Sequence, residues 1–87
     1  MADRVRLTLL GRTYCHLCDD LLRQLDPLSL EFGVEVDVVD IDHHPQLEHR
    51  WGEHVPVLFA GERELLRHRA SDQELRVRIT QLLAEIR

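Results

Sequence analysis

Cys15-His16-Leu17-Cys18 is the most reactive segment of the sequence. Two thiols three positions apart can pass between dithiol and disulfide, exchanging through a mixed disulfide with a substrate. Before them, Val5-Arg6-Leu7-Thr8-Leu9-Leu10 alternates as a strand does until Gly11 breaks it. After them, Cys18, Leu21, Leu22 and Leu25 recur at helix spacing. The first sulfur therefore falls at a helix N-terminus. There the unpaired N–H groups and the positive end of the helix dipole favour a thiolate, and cysteine pKa values drop to roughly 3.5 to 7.5. Cys15 is the expected nucleophile. Cys18, one turn further in and on the apolar face, is the expected resolving thiol. Asp19 and Asp20 oppose a thiolate at Cys15, whereas a protonated His16 would support it.

Two other readings of the pair stay open at this point. Free cysteines are often simply buried apolar residues, and the chain could then be a binding module with no redox activity. The thiols could also hold zinc or an iron–sulfur cluster, with His16, His43 or His44 completing the ligands. Zinc fingers space their second ligand pair three to five residues apart, and the adjacent His43 and His44 do not readily converge on one ion, so no metal ligand is assigned. His49, His54 and His68 share no ligand spacing either.

Strand one runs from about Arg4 to Leu10, and helix one opens near Cys15. Asp26-Pro27 predicts a kink, or a short second helix capped by Asp26 and running to Phe32, with Gly33 closing the segment. Val34 to Ile41 alternates with β-branched residues and predicts a second strand. Asp42 is placed to cap a helix that has Pro45 in its first turn, Leu47 and Trp51 on one side, and Gly52 at its end. Val55 to Ala60 is a third strand provided Pro56 sits at its start or on an edge. Gly61-Glu62 turns into a fourth strand, Arg63 to Arg67. Ser71 and Glu74 form a capping box ahead of a terminal helix striped by Leu75, Ile79, Leu82, Leu83 and Ile86. The order βαβαββα combines a parallel crossover with a hairpin, which predicts a mixed four-stranded α/β sheet with helices on both faces, one domain over residues 1–87.

Composition narrows the function further. The 87 residues are 44% hydrophobic and 31% charged, close to the usual globular values of about 45 to 50% and 25%, which excludes a disordered chain. The net charge is −5 and the 11 basic residues, all Arg, are scattered, so nucleic acid is not an expected partner. Met1-Ala2-Asp3-Arg4 leads into strand one with no apolar leader, and no run approaches 18 apolar residues, so a cytoplasmic monomer away from membranes is expected. In a reducing compartment so short a cysteine loop would not serve as a structural staple.

The sequence resembles small glutaredoxin-like proteins of the thioredoxin superfamily over nearly its whole length. Gly11-Arg12-Thr13-Tyr14-Cys15-His16-Leu17-Cys18, Trp51-Gly52-Glu53-His54-Val55-Pro56 and Ser71-Asp72 carry the likeness. The resemblance implies a thioredoxin-like fold and a dithiol–disulfide oxidoreductase acting on protein or glutathione mixed disulfides. No permanently bound cofactor is implied, and glutathione is one reductant. It implies a cis Val55-Pro56 peptide facing the cysteines, with Val55 offering its backbone to a docked peptide or glutathione. It implies that Arg12 grips the glutathione glycine carboxylate, and that Tyr14 and His16 flank the substrate, with Tyr14 packed beside the disulfide or shielding the sheet end. Ser71 and Asp72 correspond to the γ-glutamyl site. The glycine pair that precedes that site in glutaredoxins is replaced by Arg67-His68-Arg69-Ala70, and Ser71 already has a sufficient role as a helix cap. The residues between the cysteines are His16-Leu17 in place of Pro-Tyr, which with Asp19 and Asp20 points to a weaker oxidant than the oxidising members of the superfamily.

Overall fold

Alternation and helical periodicity sort the apolar side chains onto two faces of one sheet. The computed structural model describes residues 5–86, and Arg4, the expected first residue of strand one, lies outside them. The elements are β1 (Arg6–Gly11), α1 (His16–Phe32), β2 (Glu35–Asp40), a 3₁₀ turn (Ile41–His43), α2 (Pro45–Trp51), β3 (Val57–Ala60), β4 (Arg63–Arg67) and α3 (Asp72–Ile86). The strands lie in the order β2-β1-β3-β4. β1 and β2 are parallel, while β3 runs antiparallel to both β1 and β4. This is the mixed α/β sheet that the motif order predicts.

Successive residues of a strand point to opposite faces, so β1 divides its leucines. Leu7 and Leu9, with Leu58 opposite Leu9, join Leu21, Leu25 and Leu28 of α1 and Leu75, Ile79, Leu82 and Leu83 of α3 in the larger core. Leu10 and its partner Val57 face the other way and meet Ile41, with Leu47, Trp51 and Phe59 packed around them. The second layer is thin, because α2 is 7 residues long and buries none of them fully.

Two local expectations give way. α1 runs unbroken through Pro27, so the separate second helix capped by Asp26 does not form. Proline costs a helix one internal hydrogen bond, but Leu25 and Leu28 are both buried on either side of it, and packing that face against the sheet outweighs the local preference. Asp42 does not cap α2 either. The N-cap of α2 is His44, which makes no side-chain capping bond, and Asp40 caps the preceding 3₁₀ turn by accepting the Asp42 N–H at 2.9 Å. The Asp42 carboxylate is drawn instead to Arg12, 2.6 Å away. At the other end of the chain the capping box forms as the spacing predicts, with Glu74 N–H donating to Ser71 Oγ and Ser71 N–H to Glu74 Oε1.

Candidate functional site

The site lies where β1 hands the chain to α1. Gly11 ends the strand against Cys18: a side chain at Gly11 would begin 3.4 Å from the Cys18 sulfur. That close approach leaves Cys18 only 6% exposed. After the 12–14 turn, Cys15 adopts an extended conformation as the N-cap of α1. Its sulfur accepts the Cys18 N–H at 3.2 Å, and its carbonyl accepts the Asp19 N–H at 3.1 Å. Cys15 and Cys18 are joined by a disulfide, with Cα atoms 5.2 Å apart. Cys15 is the half-buried partner and Cys18 the buried one.

β3 brings the second component. Leu10 pairs with Val57, so continuing the antiparallel register by one residue sets Pro56 opposite Gly11, which itself touches Cys18. The Val55–Pro56 peptide is cis, Pro56 is buried, and Val55 is half-buried just ahead of the strand. The Pro56 carbonyl accepts the His68 N–H at 2.7 Å, which ties the β4–α3 link to this segment. His68 has a φ of 69°, a left-handed conformation that glycine adopts most easily. The His54 and His68 rings stack with centroids 6.4 Å apart.

The remaining predicted residues are placed as follows. Arg12 spends its fork inside the chain: Nε and one terminal nitrogen donate to Asp42 Oδ1 at 3.2 and 2.6 Å, and the other donates to the Gly52 carbonyl at 2.9 Å. Glu48 lies 3.3 Å away as well. Arg12 thus clamps the turn before Cys15 to the 3₁₀ turn ahead of α2 and to the C-terminal end of α2. Tyr14 is fully exposed at 102%, so it neither packs beside the disulfide nor shields the sheet end. Its φ of 62° puts the backbone in the left-handed region. His16 is also exposed, with Nε2 3.6 Å from Asp20 Oδ2 one turn on. Ser71 is occupied in its capping box, and Asp72 accepts from Gln24 Nε2 at 3.0 Å. Gln24 also donates to the Ala70 carbonyl at 2.8 Å, so it stitches α1 to the start of α3. An open cleft of about 690 Å³ runs beside this stitch, bordered by His16, Leu17, Asp20, Gln24, His68 and Arg69. Among the described residues, no group of three or more His, Cys, Asp or Glu side chains is arranged to hold a metal ion.

Sequence spacing did not reveal Asp40, which braces the turn from below. It accepts the Asp42 N–H on one oxygen and the Thr13 hydroxyl, at 3.0 Å, on the other. The Asp42 N–H first, and the Thr13 hydroxyl after it, hold the Asp40 carboxyl below its ordinary value of 3.8, against the partial loss of its hydration. A carboxyl whose folded-state pKa is depressed contributes stability that is present above the unfolded-chain value and lost as pH falls through the folded one. Urea unfolding should therefore show the wild type losing stability more steeply than Asp40→Asn below about pH 4. Equal slopes would mean the brace does not hold.

A mixed four-stranded sheet with three helices, a C-x-x-C pair at the first strand–helix junction and a proline beside it define a thioredoxin-like α/β protein of general redox type. Residues 6–80 match the Glutaredoxin-like domain (DUF836), and the chain belongs to that family. No curated protein matches it. Among solved structures, it is similar to protein Ne2328 from Nitrosomonas europaea, at 28% identity and a TM-score of 0.73, covering 88% of this chain and 93% of that one. It is also similar to target protein XcR50 from X. campestris, at 33% identity and a TM-score of 0.72, covering 86% and 96%. Thioredoxin 1 from Thermosipho africanus TCF52B shares the fold at 19% identity and a TM-score of 0.67, over 91% and 94% of the two chains. Among the described residues no helix is long and apolar enough to cross a membrane.

Proposed function

We propose that the protein is a dithiol–disulfide oxidoreductase in which Cys15 attacks and Cys18 resolves. The observation that carries this reading is the Cys15 sulfur at the N-cap of α1, accepting the Cys18 N–H and bonded to a sheltered second sulfur. In the reduced protein that N–H and the helix dipole stabilise a Cys15 thiolate, the reactive form. The thiolate attacks one sulfur of a substrate disulfide, the Cys15–substrate S–S bond forms, and the other substrate sulfur leaves as a thiolate and takes up a proton. Cys18 then loses its proton and attacks the Cys15 sulfur, which expels the second substrate thiolate and closes the Cys15–Cys18 bond. Two electrons pass from the protein to the substrate.

The substrate class is a protein disulfide or a glutathione mixed disulfide, presented beside Val55 and Pro56. The pair is reset by an external thiol reductant, glutathione being one, and no bound cofactor takes part. Arg12, Ser71 and Asp72, the residues that the resemblance links to glutathione, are engaged within the chain, so glutathione binding through them requires that those bonds be exchanged. We place the protein in the cytoplasm as a monomer, where a reducing thiol pool supplies the electrons.

Equilibration in glutathione redox buffers, with free thiols alkylated and weighed, tests the reading. Wild type is expected to switch between two free thiols and none in a single two-electron step, and Cys18→Ser is expected to accumulate one glutathione on Cys15. Failure of wild type to form the internal disulfide at any buffer ratio would falsify the proposal.

A further inference from the structure

Tyr14 stands immediately before Cys15 in a conformation the fold does not reward. Its φ of 62° lies in the left-handed region, which disfavours a side chain larger than glycine's. An aromatic residue usually recovers such a cost through packing, but the Tyr14 ring is 102% exposed and is the most exposed of the large apolar side chains among the described residues. The backbone on both sides is held. Thr13 bonds Asp40, Arg12 grips Asp42 and Gly52, and Cys15 is fixed as the helix cap. The ring is therefore displayed on a rigid turn at the lip of the disulfide.

The position relative to the cysteines indicates what such a ring would touch. Tyr14 stands on the β1 side of the sulfurs, and Val55 with Pro56 on the β3 side, so a polypeptide crossing the disulfide meets both. Tyrosine offers a large amphipathic surface with few rotatable bonds, the property that makes it common among residues that dominate protein–protein binding. A two-carbon thiol held at Cys15 has far less surface than a polypeptide with which to cover the ring.

We infer that Tyr14 is a specificity-determining residue that selects polypeptide disulfides over small-molecule ones. This rests on the oxidoreductase reading above. Strain that returns nothing to the folded chain is then explained by contact with the substrate.

The test compares wild type, Tyr14→Gly and Tyr14→Phe on two disulfides, insulin and hydroxyethyl disulfide, together with thermal unfolding of each variant. For Tyr14→Gly the ratio of the insulin kcat/KM to the hydroxyethyl disulfide kcat/KM is expected to fall about tenfold, chiefly through the insulin KM. Its thermal midpoint is expected not to fall, because glycine accepts the left-handed backbone. Tyr14→Phe is expected to keep the ratio within about twofold, since the ring supplies most of the contact area. An unchanged ratio in Tyr14→Gly, with both substrates turned over by wild type, overturns this inference and leaves the oxidoreductase reading standing. A lowered midpoint in that variant shows that the ring serves the fold, and overturns it too. Absence of wild-type turnover on both disulfides overturns the oxidoreductase reading and this inference with it.

Discussion

Cys15→Ser is expected to lower disulfide reductase activity by roughly three orders of magnitude or more, with the fold intact. The chemistry is lost because a serine hydroxyl is not ionised near neutral pH and does not form an exchangeable bond to a substrate sulfur. The fold survives because the structural task of Cys15 is to cap α1 by accepting the Cys18 N–H, and serine is among the best residues for that task. Turnover of insulin or hydroxyethyl disulfide measures the first effect, and circular dichroism against the reduced wild type measures the second. The contrast with Cys18→Ser gives the experiment its force: that variant keeps the attacking thiol and halts at the mixed disulfide, whereas Cys15→Ser never forms one. If Cys15→Ser retained activity, or if the trapped adduct appeared on Cys18, the two sulfurs would have exchanged roles and the helix-cap argument would be wrong.

Leu58→Ala carries the largest expected effect on stability, a loss of about 2 to 5 kcal/mol. Leu58 is 0% exposed, its strand pairs it with Leu9 on one side and Leu66 on the other, and its side chain enters the core shared by α1 and α3. Truncation removes the transfer free energy of its methyl groups and leaves a cavity between the sheet and the α1–α3 layer. A domain of this length has a total stability of roughly 5 to 10 kcal/mol, so the loss is a large share of it. At about 4 to 8 °C per kcal/mol the midpoint should drop by roughly 8 to 40 °C. A drop under about 5 °C would mean that Leu58 is not at the centre of the packing. Below its midpoint the variant should still cycle its disulfide, because the cysteines are carried by α1 and not by β3.

The site was legible in the sequence to the extent that it is local. Helical spacing after Cys18 and the break at Gly11 sufficed to put Cys15 at a helix start, and the chain places it there. The order of elements along the chain and the mixed sheet followed from alternation, the Gly61-Glu62 turn and the Ser71 capping box. What escaped depends on partners far along the chain. Asp42 looks like a helix cap to its neighbours and belongs to Arg12, 30 positions earlier. Asp40 looks like the end of a strand and braces Thr13. Pro27 looks like a break until the burial of Leu25 and Leu28 is known. Tyr14 was expected beside the disulfide or over the sheet end, and its ring is fully exposed on a left-handed turn residue.

The unequal cover of the two sheet faces has a consequence for motion. The layer built from α2 and the 3₁₀ turn rests on a small cluster around Leu10, Ile41 and Val57, whereas α1 and α3 share the larger one. Segments with few buried contacts open at a lower free energy than the molecule as a whole. When α2 lifts, Arg12 loses Gly52 and Glu48 together, and the turn that presents the reactive sulfur is left to its bonds with Asp42 and Asp40. The redox centre is therefore braced in part by the layer with the smaller core, and opening of that layer, short of global unfolding, is expected to loosen the brace without dismantling it.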